Sequence, residues 1–300
     1  MAITIDQVYV DTFERNVRHL AQQANTRLRA FVTERSVQSE SHAWERVGAV
    51  DTSEKTAART ATPENDTPWS RRLSIPSTYH VGDTVEPEDV VQMLVEPKSN
   101  IAMAHAMACR RRVDDIIIAA ANGDSRDGDG NAITFDTANQ QIDLTNAGAT
   151  TGAAAEISID SILQVQEKFY ENDIQMDDMQ RVCMVIGPKQ QRKLMQLMEV
   201  TSGDYQNSRA LATGYMPNWL GFDWVVSNRL QSPSANVVDC LAFTPQGIGL
   251  QVNKDISAKV GEDPSISFAW RIYAMLTMGA VRVEDEHVVR LRLADTVTAA

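Results

Sequence analysis

Two side chains four residues apart, His105 and Cys109, have the spacing that points two ligands at one metal ion from one face of a helix. No second pair lies nearby in sequence, so they read first as core or interface residues. Further on, Asp127-Gly128-Asp129-Gly130-Asn131 opens like a calcium loop. Its sixth position is Ala132 where the loop requires glycine, and its twelfth is Ala138 where a bidentate glutamate belongs. A tight surface turn is the better reading. Arg110, Arg111 and Arg112, followed by Asp114 and Asp115, offer charge for a phosphate. On a helix, however, consecutive side chains fan around the rod, and pairing with acids on several neighbours is expected. A metal-dependent hydrolase would have to be built from His105, Cys109 and Asp127 or Asp129, a sparse ligand set. The serine elbow, the phosphate loop and the His-Glu-x-x-His zinc motif are absent from the sequence. Gly247-Ile248-Gly249 lacks the third glycine of a dinucleotide fingerprint, because Val252 stands there. The five histidines are scattered along the chain. No catalytic residue, cofactor or metal is therefore expected.

Composition narrows the class further. The chain has 300 residues, 43% of them hydrophobic and 23% charged, which is enough apolar mass for a packed core. Forty acidic residues against 28 basic ones give a net charge of −12, the wrong sign for a dedicated duplex-DNA binder. Three widely separated cysteines, Cys109, Cys183 and Cys240, read as buried free thiols rather than a disulfide framework. The longest apolar run, residues 116–121, is far shorter than a membrane span, and the N-terminus shows no secretory pattern. A soluble intracellular product is expected.

The elements that would position any site follow from periodicity. Phe13, Val17, Leu20, Ala24, Leu28 and Phe31 predict an amphipathic helix over residues 13–31. Its face carries Arg15, Arg18, His19, Arg27 and Arg29 with no acid among them. That strip is either a solvated face or a contact for an acidic neighbour or nucleic acid. Residues 43–87 are poor in aliphatics, yet Trp44, Val47, Trp69, Leu73, Ile75 and Tyr79 punctuate them. An extended hairpin that buries its aromatics against another surface fits this pattern; a flexible insertion is the alternative. A short helix is expected over 89–94, and one long helix over 100–121, about 33 Å at 1.5 Å per residue, ended by Asn122-Gly123. After a low-complexity patch at 139–155, helices over 159–171 and 189–198 alternate with strands over 181–186, 222–226 and 237–244. A polar loop is expected at 201–215. Period-two alternation then runs from Ile266 to Met278, and strands over 281–284 and 288–293 flank the acidic corner Glu284-Asp285-Glu286. Helices and long antiparallel strands are mixed, so the fold class is α+β.

The order of these parts, together with several local phrases, resembles the major capsid (coat) proteins of tailed bacteriophages. The phrases include Asp114-Asp115-Ile116-Ile117-Ile118 leading to Asn122-Gly123, Val185-Ile186-Gly187-Pro188-Lys189-Gln190 before a helix, and Leu220-Gly221-Phe222 entering a strand. Ser227-Asn228-Arg229-Leu230, Gly247-Ile248-Gly249-Leu250 and Met278-Gly279-Ala280-Val281-Arg282 continue the series. The resemblance implies the Hong Kong ninety-seven fold, shared with encapsulins, and a self-assembling icosahedral shell of hexamers and pentamers enclosing double-stranded DNA. It implies an N-terminal arm (1–42), an extended loop lying on a neighbour (43–87), a peripheral domain (88–157 and 254–300) with the long helix as its spine, and an axial domain (158–253). Trp69, Arg71 and Arg72, with Arg110, Arg111 and Arg112, are then expected at inter-subunit contacts. Arg15, Arg18, Arg27 and Arg29 are expected on an inner face, in non-specific contact with packaged DNA. The implied partners are further copies of the chain, a separate scaffold protein, a portal and a decoration protein, with no membrane. The implied location is the virion, after assembly in the host cytoplasm. Little processing is expected, since no long scaffolding segment precedes the arm, and no cross-link through Lys55. An encapsulin-like shell is the alternative within the same fold.

Overall fold

The computed structural model describes residues 22–59, 64, 66–86, 97–143, 155–176, 181–197 and 218–295. The expected helix at 89–94, the loop at 201–215, Arg15 and Arg18 lie outside them. Strands β1 (Thr33–Ser36), β2 (His42–Val47), β3 (Trp69–Ser74) and β4 (Ser77–Val85) precede the long helix α1 (Pro97–Asn122). Short strands β5 (Ser125–Arg126), β6 (Ala132–Ile133) and β7 (Gln141–Ile142) follow, then helix α2 (Ile159–Glu171), β8 (Val182–Ile186) and helix α3 (Pro188–Gln196). The chain continues through β9 (Asn218–Trp219), β10 (Phe222–Val226), β11 (Val237–Phe243), β12 (Ile248–Asp263), β13 (Ala269–Arg282) and β14 (Val288–Ala294). The class is α+β.

Contacts divide the described residues into two units. One takes those within Met1–Asn25, Thr78–Arg112 and Lys254–Thr277; the other takes those within Thr26–Ser77, Val113–Asn253 and Met278–Ala300. The second unit is organised by a six-stranded sheet of order β7-β14-β11-β8-β10-β9. Strand β8 sits near its centre, parallel to β10 and antiparallel to β11. Its sequence Val-Cys-Met-Val-Ile is apolar without alternation, as a strand buried on both faces requires, and all five residues are buried. Val182, Met184 and Ile186 point into a core shared with Ile162, Val165 and Phe169 of α2 and Leu194 of α3. These helices start where the local chemistry says they should. Ser158 caps α2 through a reciprocal bond with Ser161, and Pro188 opens α3 directly after Gly187.

The first unit is built on strands. There β13 lies between β12 and β4, and Ile272, Ala274 and Leu276 alternate buried with half-buried Tyr273 and Met275. Thr78 and Thr277 share a hydroxyl contact of 3.0 Å, and the His80 ring stacks on Tyr273.

Three expectations need correction. Residues 22–28 are not helical; only a single 3-10 turn, Arg29–Phe31, forms at that end of the predicted amphipathic helix. The Asp114 carboxylate, buried on α1, accepts the backbone N–H groups of Arg27 (3.0 Å) and Leu28 (3.2 Å), which fixes the segment in a non-helical path. The alternation read from Ile266 begins only at Ala269. Asp263 and Pro264 open a turn in which Ser267 and Phe268 take positive φ values of 46° and 58°, so Phe268 stands exposed at its end. Strand β14 pairs along its whole length with β11, from Val237↔Ala294 to Phe243↔Val288, and so belongs to the six-stranded sheet. The closing strands therefore divide between two sheets. Finally, the low-complexity patch contributes β7 to the edge of that sheet, parallel to β14.

Candidate functional site

Strands β2 and β3 form an antiparallel ribbon running in register from His42↔Ser74 to Val47↔Trp69. A two-stranded ribbon is marginal in water by itself, so something must hold its base. Trp44 does part of this: it packs with Val281 and Val283 and lies flat against Gly249. A Cβ at position 249 would sit 2.6 Å from the indole, so only glycine lets the ring in. The Trp44 Nε1–H donates to Ser74 Oγ (3.1 Å), which donates to Gln251 Oε1 (2.7 Å). Directly across from Trp44, Arg72 is buried, and its Nη2 donates to Asp285 Oδ2 at 2.7 Å. Burial pushes the Arg72 pKa down, and the Asp285 charge acts against that shift.

The far end of the ribbon is different. Every described residue from Val47 to Arg59 is exposed, Trp69 is 68% exposed, and its register partner Val47 is 56% exposed. A tryptophan and a valine thus stand side by side on an exposed apolar patch. Arg71 points outward and pairs with Glu45 across the ribbon at 3.2 Å. Beside it, Trp69, Arg71, Asp127 and Asp129 border an open groove of about 530 Å³. The Asp127 carboxylate is engaged by its own turn. It accepts the N–H groups of Asp129 (2.9 Å) and Asn131 (2.8 Å) and the Asn131 side-chain amide (3.1 Å). The Asn131 side chain, first among these, holds its pKa below the usual carboxylate range.

The five arginines and the tryptophan expected at contacts thus separate. Trp69 and Arg71 stand on the exposed end. Arg72 does not: as a correction, its guanidinium is inside the fold, because odd and even positions of one strand face opposite ways. Arg110, Arg111 and Arg112 fan around α1. Arg110 Nη1 donates to Ala24 O (2.8 Å) and Asn25 Oδ1 (3.2 Å), and Arg111 Nη1 donates to Gln22 Oε1 (2.6 Å). Arg112 lies over the Tyr79 ring, 4.2 Å from its centroid. Of the basic strip, Arg29 is paired twice with Glu34 (2.7 and 2.9 Å), and Arg27 donates to the Val226 carbonyl.

His105 and Cys109 do share a face of α1, with Cys109 buried and its thiol pKa raised by that burial. Among the described residues, no group of three or more His, Cys, Asp or Glu side chains is placed to hold a metal ion. All three thiols are buried, and burial drives Cys240 up to about 12 and Cys183 well above its ordinary value. None is placed as a nucleophile. No helix is long and apolar enough to cross a membrane among the described residues. Two exposed apolar spots escaped the sequence reading. Leu163 and Tyr170 are 44% and 51% exposed on the outer face of α2; their seven-residue spacing is the signal that was available. Phe268, 62% exposed, was hidden by the false alternation.

The described elements, a long helix, a six-stranded sheet and a hairpin with an exposed aromatic end, are shared by solved structures from phages and from a GTA particle. The structure from Mycobacterium phage Che8 matches with a TM-score of 0.72 and 17% identity, covering 96% of this chain and 98% of that one. The capsid of the cyanophage P-SCSP1u matches at TM-score 0.76 and 16% identity, covering 99% and 96%. The capsid of a native GTA particle matches at TM-score 0.67 and 16% identity, covering 96% of both chains. At these identities the likeness is one of fold, and no curated protein sequence matches. The family model described as phage capsid protein matches residues 5–295. The chain belongs to the phage capsid protein family. It has the Hong Kong ninety-seven-like capsid fold.

Proposed function

We propose that this chain assembles with copies of itself into the hexamers and pentamers of an icosahedral head, acting as a structural tile with no catalytic role. The observation that carries this reading is the hairpin: its base is fixed by Trp44 and Arg72, while its outer end presents Trp69 and Val47 to solvent. Residues 43–87 act as the extended loop, and Trp69 and Arg71 meet the neighbouring subunit. The outer face of Arg112 lies at a second contact, with Arg110 and Arg111 fixing the N-terminal segment beneath it. The arm of residues 1–42 faces the packaged double-stranded DNA through Arg15, Arg18 and Arg27, while Arg29 is neutralised by Glu34. The axial domain is residues 158–253 and the peripheral domain residues 88–157 and 254–300, with α1 as its spine and with β7 and β14 extending the axial sheet. A separate scaffold protein and a portal complete the head, which assembles in the host cytoplasm and resides in the virion.

The test is negative-stain electron microscopy and sedimentation of the purified chain. Capsomers or closed shells, far above the 33.2 kDa of one chain, are expected. A monodisperse monomer at every salt and protein concentration overturns the reading. Shells that form with a host enzyme as cargo instead of DNA place it with the encapsulins.

A further inference from the structure

The acidic corner Glu284-Asp285-Glu286, between β13 and β14, receives arginines from three directions. Asp285 accepts from Arg72 of β3 (2.7 Å) through Oδ2 and from Arg282 of β13 (2.5 Å) through Oδ1. Arg282 is fully buried, and its Nη1 donates onward to the Gly123 carbonyl (2.5 Å), at the C-terminus of α1 where a cation is favoured. The Arg282 guanidinium also lies over the Phe135 ring, 4.9 Å from its centroid. One residue further, Glu286 faces Arg46 of β2 at 3.7 Å. The neighbouring Glu284 is bonded to His287 at 3.1 Å. Both strands of the hairpin are therefore tied to consecutive acids of one corner, and that corner is tied to the end of the long helix.

We propose that Asp285 is a positioning residue. Through Arg72 and Arg282 it clasps the hairpin base to the end of α1 and so sets the direction in which Trp69 is presented to a second copy of this chain. The presentation clause rests on the assembly reading above; the clasp itself does not. Buried, charge-assisted bonds of this kind are the strong ones, and an unpaired buried arginine is costly, so removing Asp285 frees the hairpin more than it harms the sheet. Apart from the Trp44 anchor and the Arg72↔Asp127 bridge at the base, the described residues of the ribbon's far end are exposed, and a ribbon of two strands does not persist unaided.

The experiment compares Arg72→Met, Asp285→Asn and the double variant by backbone hydrogen exchange, with circular dichroism on the same samples and electron microscopy of assembly. The clasp predicts that amides of β2 and β3 exchange about tenfold faster or more in each single variant, while those of β8 and β11 keep their protection. It also predicts that the double variant is no worse than the worse single one, since both remove the same bond. Unchanged exchange of β2 and β3 in both single variants overturns it. So does equal loss of protection in hairpin and sheet, which makes Asp285 a general core residue. If Trp69→Ala leaves shell formation intact while Asp285→Asn still frees the hairpin, the reading of Trp69 as an inter-subunit contact falls and the clasp stands.

Discussion

The six-stranded sheet and the β2–β3 ribbon are made of the same kind of strand, yet one is complete and the other is not. In the sheet, β8 has a hydrogen-bonded neighbour on each side, α2 and α3 cover its Val182, Met184 and Ile186 face, and all five of its residues are buried. In the ribbon, β2 and β3 pair with each other, with one further bridge from Arg72 to Asp127, and burial stops at Trp44, Arg72 and Ser74. The comparison shows where folding ends and assembly begins. Apolar area that a single chain can cover stabilises that chain. Apolar area left open among the described residues, at Trp69 and Val47, is what the proposed assembly would use between chains.

The contrast can be broken most forcefully from the sheet side. Phe169→Ala removes a fully buried ring from the core beneath β8 and β11; a loss of about 3–5 kcal/mol in denaturant unfolding is expected, with assembly failing because the subunit fails. Trp69→Ala is the mirror experiment. Its unfolding midpoint should stay put, within about 0.5 kcal/mol, while shells need roughly 30-fold more protein to form, as loss of a 2 kcal/mol contact residue implies. Equal damage to stability and assembly would place Trp69 in the core and erase the contrast. Asp114→Ala lies between the two. It strands the amides of Arg27 and Leu28 and should cost about 1–2 kcal/mol, read as faster proteolysis within residues 22–31.

A smaller effect depends on pH. The His287 bond, above all, holds the Glu284 pKa below its ordinary 4.5, so this carboxylate binds its proton less readily folded than unfolded. Its contribution is therefore present above about pH 4.5 and is lost as pH falls through the lower folded value. Glu284→Gln should remove that acid-side loss from the stability profile; an unchanged profile would show that Glu284 contributes nothing to the corner. Least of all, Arg71→Ala breaks only the exposed pair with Glu45 and should shift unfolding by a few tenths of a kcal/mol.

What the sequence could reveal was what local chemistry controls. Gly187-Pro188 between an apolar run and an amphipathic stretch placed β8 and α3, and a glycine- and proline-free run placed α1, which proved longer at 26 residues. Long-range pairing was out of reach. That Arg72 points inward and Arg71 outward depends on the ribbon's register and on Asp285, which lies 213 residues further on. Strand β14 could be seen as a strand, but its partner β11 could not. The stripe of residues 13–31 is helical by period, yet at Arg27 and Leu28 a buried carboxylate from α1 outbids the helix for their amides. Ile266 and Phe268 continued a true alternation by coincidence of composition, and only the turn opened by Asp263 and Pro264 separates them from it.

The three cysteines have a practical corollary. Cys109, Cys183 and Cys240 are sealed in the interior, so thiol reagents should pass the native tile by, and sulfur bridges between its native cysteines cannot rivet neighbouring tiles together. A lone cysteine engineered at the exposed end of the ribbon would then react against a silent background, turning the hairpin into a reporter of when and how fast each tile docks.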